Sequence, residues 1–240
     1  MCFTPKVSLS TAIIEWLIAF FIYYKYNKSF LSKFLFIFIF ILGFYQFTEY
    51  MLCTSGDIQL WGKLGFITYT FLPAIGLHFV LSYTKNKINK LIIYLPVLII
   101  ILMTVANDNF IISGSCSKMF VKIENYFYNS ANPVATAIYL TWYFLNIIII
   151  AVYLINGIRK TRNKTLIVIY LTILSTTLLT IIPPVILFVV FPSLSYEFPS
   201  IYCQFALLFS IMALFGAYLD DKLKFRFKHL LKDIAHKLKM

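Results

Sequence analysis

The chain has 240 residues, 61% of them hydrophobic and only 12% charged, with a formal charge of +12. Soluble domains are about half apolar and about a quarter charged, so this composition excludes an ordinary water-soluble fold and points to lipid as the solvent. The apolar runs are continuous and lack the alternation of a barrel strand. Helices, which satisfy their own backbone groups in lipid, are therefore expected.

Spanning helices need about 20 apolar residues. Seven runs are predicted as spans, at 8–26, 34–53, 60–83, 91–106, 136–156, 165–191 and 198–219, giving one all-α domain over 1–219. The fourth, Leu91–Ala106, is the shortest and contains Pro96. It is expected to stand upright, to extend at its ends, or to be partly re-entrant. Pro73 in the third span and Pro183-Pro184 in the sixth remove backbone donors and predict bends. Thr176, Thr177 and Thr180 stand before the pair as candidates to repair the freed groups. Met1–Ser10 lacks a basic region, so the first span is expected to be retained rather than cleaved.

Charge orients these spans. The connections after spans one, three and five carry Lys25, Lys28, Lys33, Lys85, Lys87, Lys90, Arg159, Lys160, Arg162 and Lys164, and the tail is rich in lysine. Of the 21 basic residues, only Lys6, Lys63, Lys118 and Lys122 fall on the opposite side. Cytoplasmic loops carry the excess of Lys and Arg, which predicts an outer N-terminus and an inner C-terminus. The net charge then reports orientation and contact with anionic lipid rather than nucleic acid.

In that topology Cys2, Cys53, Cys116 and Cys203 all lie at the outer face, where disulfides form. Four cysteines allow three connectivities. Cys2–Cys53 is favoured because spans one and two are neighbours, which leaves Cys116 with Cys203. Free thiols packed near the interface are the alternative. Cys116 sits in the long outer loop, 107–135. There Phe120, Val121, Ile123, Tyr126 and Phe127 predict a short amphipathic helix that lies over the bundle as a lid.

Ionisable groups inside lipid are costly and usually face the bundle interior. Glu15 lies about two turns into span one. Gln46 and Glu49 lie one turn apart on one face of span two. Counting from the outer ends puts Glu15 and Gln46 at similar depth, which suggests a shared cluster. That cluster reads either as interhelical hydrogen bonding, the favoured role, or as an outward-facing site for a proton, a cation or an amine. Asn146 and Gln204 are further ligand-binding candidates, and His78 reads as a packing residue. Tyr139, Trp142, Tyr143, Tyr196 and Tyr202 are expected to form an interfacial belt rather than pocket walls.

In the tail, 220–240, Leu223, Phe227, Leu230, Leu231, Ile234 and Leu238 recur on one helical face. Lys224, Arg226, Lys228 and Lys232 occupy the rest, as in a helix lying in the membrane surface. His229 and His236 are seven apart and lack the spacing of a metal pair. No phosphate-binding glycine loop and no H-E-x-x-H occurs. Neither a cofactor nor a metal is expected, and an enzyme is the least favoured class.

The opening Met1-Cys2-Phe3, then Gln46-Phe47-Thr48-Glu49-Tyr50, Cys53, Gly65 and Phe71-Leu72-Pro73 carry a resemblance over about the first third of the chain. The chain resembles small prokaryotic multi-span proteins that begin Met-Cys-Phe or Met-Cys-Trp and have no assigned activity. Thr4-Pro5-Lys6-Val7-Ser8 stands where their Ser-Ala-x-Ala-Ser continuation is usual. The layout is also similar to the seven-span sensor regions that precede bacterial histidine kinases. This implies a seven-span protein of the prokaryotic cytoplasmic membrane. The leading expectation is a non-enzymatic receptor-like or sensor bundle that takes a small or lipid-like ligand from the outer side. The runner-up is a transporter or ion-coupled permease using the same carboxylates. The lipid bilayer is its partner; no protein partner is legible.

Overall fold

The structure is a computed structural model, and it describes residues 5–26, 29–86, 88–116, 121–127, 132–190 and 205–222. Six helices and a hairpin follow one another in order. They are α1 (Pro5–Tyr26), α2 (Phe30–Thr54), α3 (Ile58–Tyr83), α4 (Lys90–Ala106), β1 (Ile111–Cys116), β2 (Val121–Asn125), α5 (Pro133–Lys160) and α6 (Lys164–Val190). A seventh helical stretch, α7, covers 205–222. Five helices, α1, α2, α3, α5 and the first 20 residues of α6, are long and apolar enough to cross a membrane. The chain is therefore built as a helical, multi-pass membrane protein. The 17-residue α4 is shorter, at roughly 25 Å by helical rise, against a hydrocarbon core of about 30 Å.

Helix starts lie a few residues ahead of the apolar runs because caps set them. Ser29 accepts from the Ser32 amide, Asp57 from Leu60 and Asn89 from Leu91. Asn132 does the same for α5, whose first turn holds Pro133, a residue suited to that position. α3 is the hub and touches α2, α4, α5 and β1, while α1 packs on α2 and α6 on α5.

Lipid offers helices little reason to associate, so they must approach closely to gain dispersion contacts. Gly43 shows how. A Cβ there would lie 2.7 Å from the Trp16 ring and 3.2 Å from the Ala12 carbonyl. The notch lets Trp16 lie across α2, where its indole N–H donates to the Phe40 carbonyl at 3.2 Å.

The reading of the long loop, 107–135, is corrected by the structure. Its described part is an antiparallel hairpin, not an amphipathic helix, with Ser113 opposite Glu124 and Cys116 opposite Val121. Val121 and Ile123 alternate with Lys122 and Glu124, a two-residue period that suits a strand. A helix this short is marginal without packing. The hairpin still covers the bundle. Phe110, Ile111 and Phe127 are buried against α3 and α5, and the Gln59 side chain bonds both the carbonyl and the amide of Ile111. Gly62 provides the seat, since a Cβ there would come within 2.9 Å of Ile111.

The favoured sulfur pairing is also corrected. Cys53 at the end of α2 is bonded to Cys116 at the end of β1. Docking of the hairpin on α3 brings Cys116 to the neighbouring end of α2, a proximity that strand formation creates and sequence distance hides. Cys2 and Cys203 lie outside the described residues, as do Gln204, Tyr196, Tyr202, the span residues 191 and 198–204, and the tail residues Lys224, Arg226, Lys228 and Lys232.

Alkylation without reductant followed by intact-mass analysis should leave Cys53 and Cys116 unlabelled. Replacing Cys116 by Ser should cost about 2–4 kcal/mol and lower Tm, as expected for a bridge closing a long loop.

Candidate functional site

Glu15, Gln46 and Glu49 are all buried, at 0%, 0% and 3% exposure. The contact of Ala12 with Gly43, and of Trp16 with Phe40, sets the register of the α1–α2 hairpin. Moving from Ala12 to Glu15 runs away from Gln46, so the two backbones stand about 9 Å apart along the axis. Both side chains lean toward their own helix N-termini, and so toward each other. Even so, among the described residues neither oxygen of Glu15 takes a hydrogen bond, from Gln46 or from any other group. Glu49 is held differently: it accepts from the Tyr45 hydroxyl at 3.0 Å, one turn back on α2.

From Glu49 a chain of aromatic groups crosses the bundle. Tyr45 lies against Tyr69, and Tyr69 stacks on Tyr143 with centroids 4.7 Å apart. Tyr143 meets Tyr139, whose hydroxyl is 3.1 Å from Thr70 Oγ1. Tyr139 and Tyr143 are 1% and 2% exposed, so they are core residues and not members of an interfacial belt. Their ring faces meet other aromatics of α3 and the hairpin, which offset stacking favours over lipid contact.

Asn146 is buried and donates to the Trp142 carbonyl at 2.8 Å, within its own helix. His78 Nδ1 pairs with the Tyr94 hydroxyl at 2.9 Å and ties α3 to α4. Neither group meets Glu15 or Glu49 in these bonds. Among the described residues no group of three or more His, Cys, Asp or Glu side chains comes together to hold a metal.

An apolar space lies elsewhere. At the end of the bundle away from the hairpin, α2, α3, α5, α6 and α7 surround a cavity of about 90 Å³. Leu35, Phe38, Gly76, Ile150, Thr176 and Ala213 are among its walls. Four threonines of α6 border it, but each hydroxyl donates to its own helix. These bonds also correct the expected proline repair. Thr176, Thr177 and Thr180 reach the carbonyls of residues 172, 173, 176 and 177, one to two turns before those left without a donor by Pro183 and Pro184. With its hydroxyl hydrogens spent, the wall is effectively apolar and offers water few partners.

Sequence reasoning missed this cavity because its lining consists of ordinary apolar side chains. Only the threonine ladder at 172, 176, 177 and 180 marked one wall. The chain matches no protein-family model and no curated protein.

Replacing Tyr45 by Phe should remove the hydroxyl bond to Glu49 and lower stability by about 1–3 kcal/mol, read as a fall in Tm at constant cysteine state.

Proposed function

We propose that this protein is a non-enzymatic, receptor-like bundle of seven membrane spans that binds a lipid-like ligand. The observation that carries the proposal is the apolar cavity enclosed by α2, α3, α5, α6 and α7. Pockets for apolar ligands are largely preformed and lined by hydrophobic and aromatic side chains, as here. Ala213 and Gly216 place the cavity against α7, four residues or more before the tail begins. A chain lodged there bears directly on the helix that leads to the tail, which gives binding a route to a response. The reading also draws on the resemblance to seven-span sensor regions, and the lysine and arginine bias supports an outer N-terminus and an inner C-terminus. In that orientation the cavity lies in the inner half of the membrane, on the far side of the bundle from the hairpin.

A monoacylglycerol should raise the Tm of the detergent-solubilised full chain. Ala213→Leu fills the cavity and should abolish that shift while keeping or raising the Tm of the protein alone. An unchanged shift in the variant would place the lipid elsewhere and remove the proposal.

One observation favours the second reading, an ion-coupled permease. Glu15 is fully buried and makes no hydrogen bond among the described residues, so it has no structural bond to break when it exchanges a proton or cation. In proteoliposomes this reading expects solute uptake that depends on pH and is lost in Glu15→Gln; uptake that is flat across pH in both forms would exclude it.

A further inference from the structure

A second space opens at the same end of the bundle. It measures about 280 Å³ and is lined by Thr84, Asn86, Tyr153, Asn156, Lys160 and Tyr170, with Gly157 and Thr161 completing it. Its lining is more polar than the cavity's. It includes residues with amide, hydroxyl and ammonium groups, and none of its described lining side chains is acidic. Asn86 is already oriented by its bond to Thr84 Oγ1 at 2.8 Å. Arg159, Arg162 and Lys164 lie within four residues of Lys160 in the chain, so the end of α5 and the start of α6 are basic as well.

The two spaces are lined by different residues of the same three helices, α3 with its C-cap, α5 and α6. Val80 lines the apolar cavity and Thr84, one turn further along α3, lines the polar pocket. On α5, Ile150 borders the cavity, and Tyr153 and Asn156 border the pocket. On α6 the change takes a single residue, from Ile169 to Tyr170. Along three helices at once, apolar walls give way to polar ones within about 6 Å, one helical turn. Tyr170 stands at the boundary, with its ring packed on Gly157 and edge-on to Tyr83.

We infer that the pocket and the cavity are two halves of one amphiphile site, and that its ligand is an anionic phospholipid with its phosphate beside Lys160 and a chain toward Ala213. The assignment rests on the lipid-binding role proposed above and adds the headgroup. Charge complementarity supports phosphate: a lysine ammonium, amides and hydroxyls are the groups that hold it, and a charge-assisted bond outweighs a neutral one. Position supports a membrane lipid, because Lys160 is the last residue of α5, a helix long and apolar enough to cross a membrane, and the ends of such helices meet the headgroups.

Lysophosphatidic acid and the monoacylglycerol of equal chain length differ only in the phosphate. The full chain in neutral detergent should bind the former about tenfold more tightly, the scale of one charge-assisted hydrogen bond. Lys160→Met, at an exposed position, should erase that preference and leave monoacylglycerol binding unchanged. Ala213→Leu should weaken both lipids. Equal binding of the two lipids by the unaltered protein, or a preference that survives Lys160→Met, overturns the headgroup assignment while leaving the cavity as a lipid site. Inorganic phosphate binding as tightly as lysophosphatidic acid would make the pocket a free-anion site and overturn the lipid. Binding of neither lipid overturns both this inference and the receptor reading.

Discussion

Lipid removes the hydrophobic reward that gathers helices in water, so this bundle depends on close contact at a few small residues and on buried polar bonds. Gly43 admits Trp16, and Gly62 admits Ile111. Each notch brings one element against another at a distance no larger residue permits. Around these contacts the remaining polar bonds are local: Thr84 bonds Val80, Ser210 bonds Ala206, and Asn146 bonds Trp142, each within its own helix. Bonds that cross between elements are fewer, and those present fix definite pairs. Trp16 joins α1 to α2, His78 joins α3 to α4, and Thr70 with Tyr139 joins α3 to α5.

The same constraint divides the bundle into two ends. Near the hairpin the core is aromatic and closed. Phe66, Phe110, Phe127 and Tyr139 pack ring on ring, and Cys53–Cys116 ties the hairpin to α2. Aromatic groups fill space efficiently and their edges and faces interlock, which leaves little room for a ligand. At the other end Leu, Ile, Val and Ala join Phe34, Phe38, Phe79 and Phe209, with glycine at 76 and 216 and threonine along α6. These side chains, contributed by five helices, do not meet at the centre, and a cavity is what remains. Packing thus places the closed half beneath the hairpin and the open half toward the basic end of α5.

Much of the architecture was legible in residues alone. Length and continuity of apolar runs identify the helices, because one turn of helix is the only economical backbone in lipid. Their starts were less legible, since caps such as Ser29 and Asp57 stand outside the apolar pattern. The hairpin was misread because Phe120–Phe127 offers apolar residues at both helical and strand spacing, and only pairing with Ile111–Cys116 decides between them. The cysteine pairing failed for the same reason: it follows from where the hairpin docks. Of the candidate site, burial of Glu15, Gln46 and Glu49 was legible from the cost of exposing them to lipid. Their bonding was not, because it depends on the register of α1 against α2.

Glu15 and Lys160 illustrate two ways a charged residue belongs to a membrane protein. Glu15 is fully buried, and among the described residues nothing donates to it. Its cost is not offset by a bond, so it either serves a transfer of charge or is tolerated by the packing around Ala12 and Gly43. Lys160 stands exposed at the end of α5, where the helix dipole favours a cation. It costs the fold little and leaves its donors available. A ligand that brings its own charge gains more from the second arrangement than from the first, because no desolvated partner must be rebuilt. On the proposed reading, an apolar cavity that lies beyond a polar pocket carrying such a lysine suits a molecule with an alkyl body and an anionic head better than one carrying either part alone.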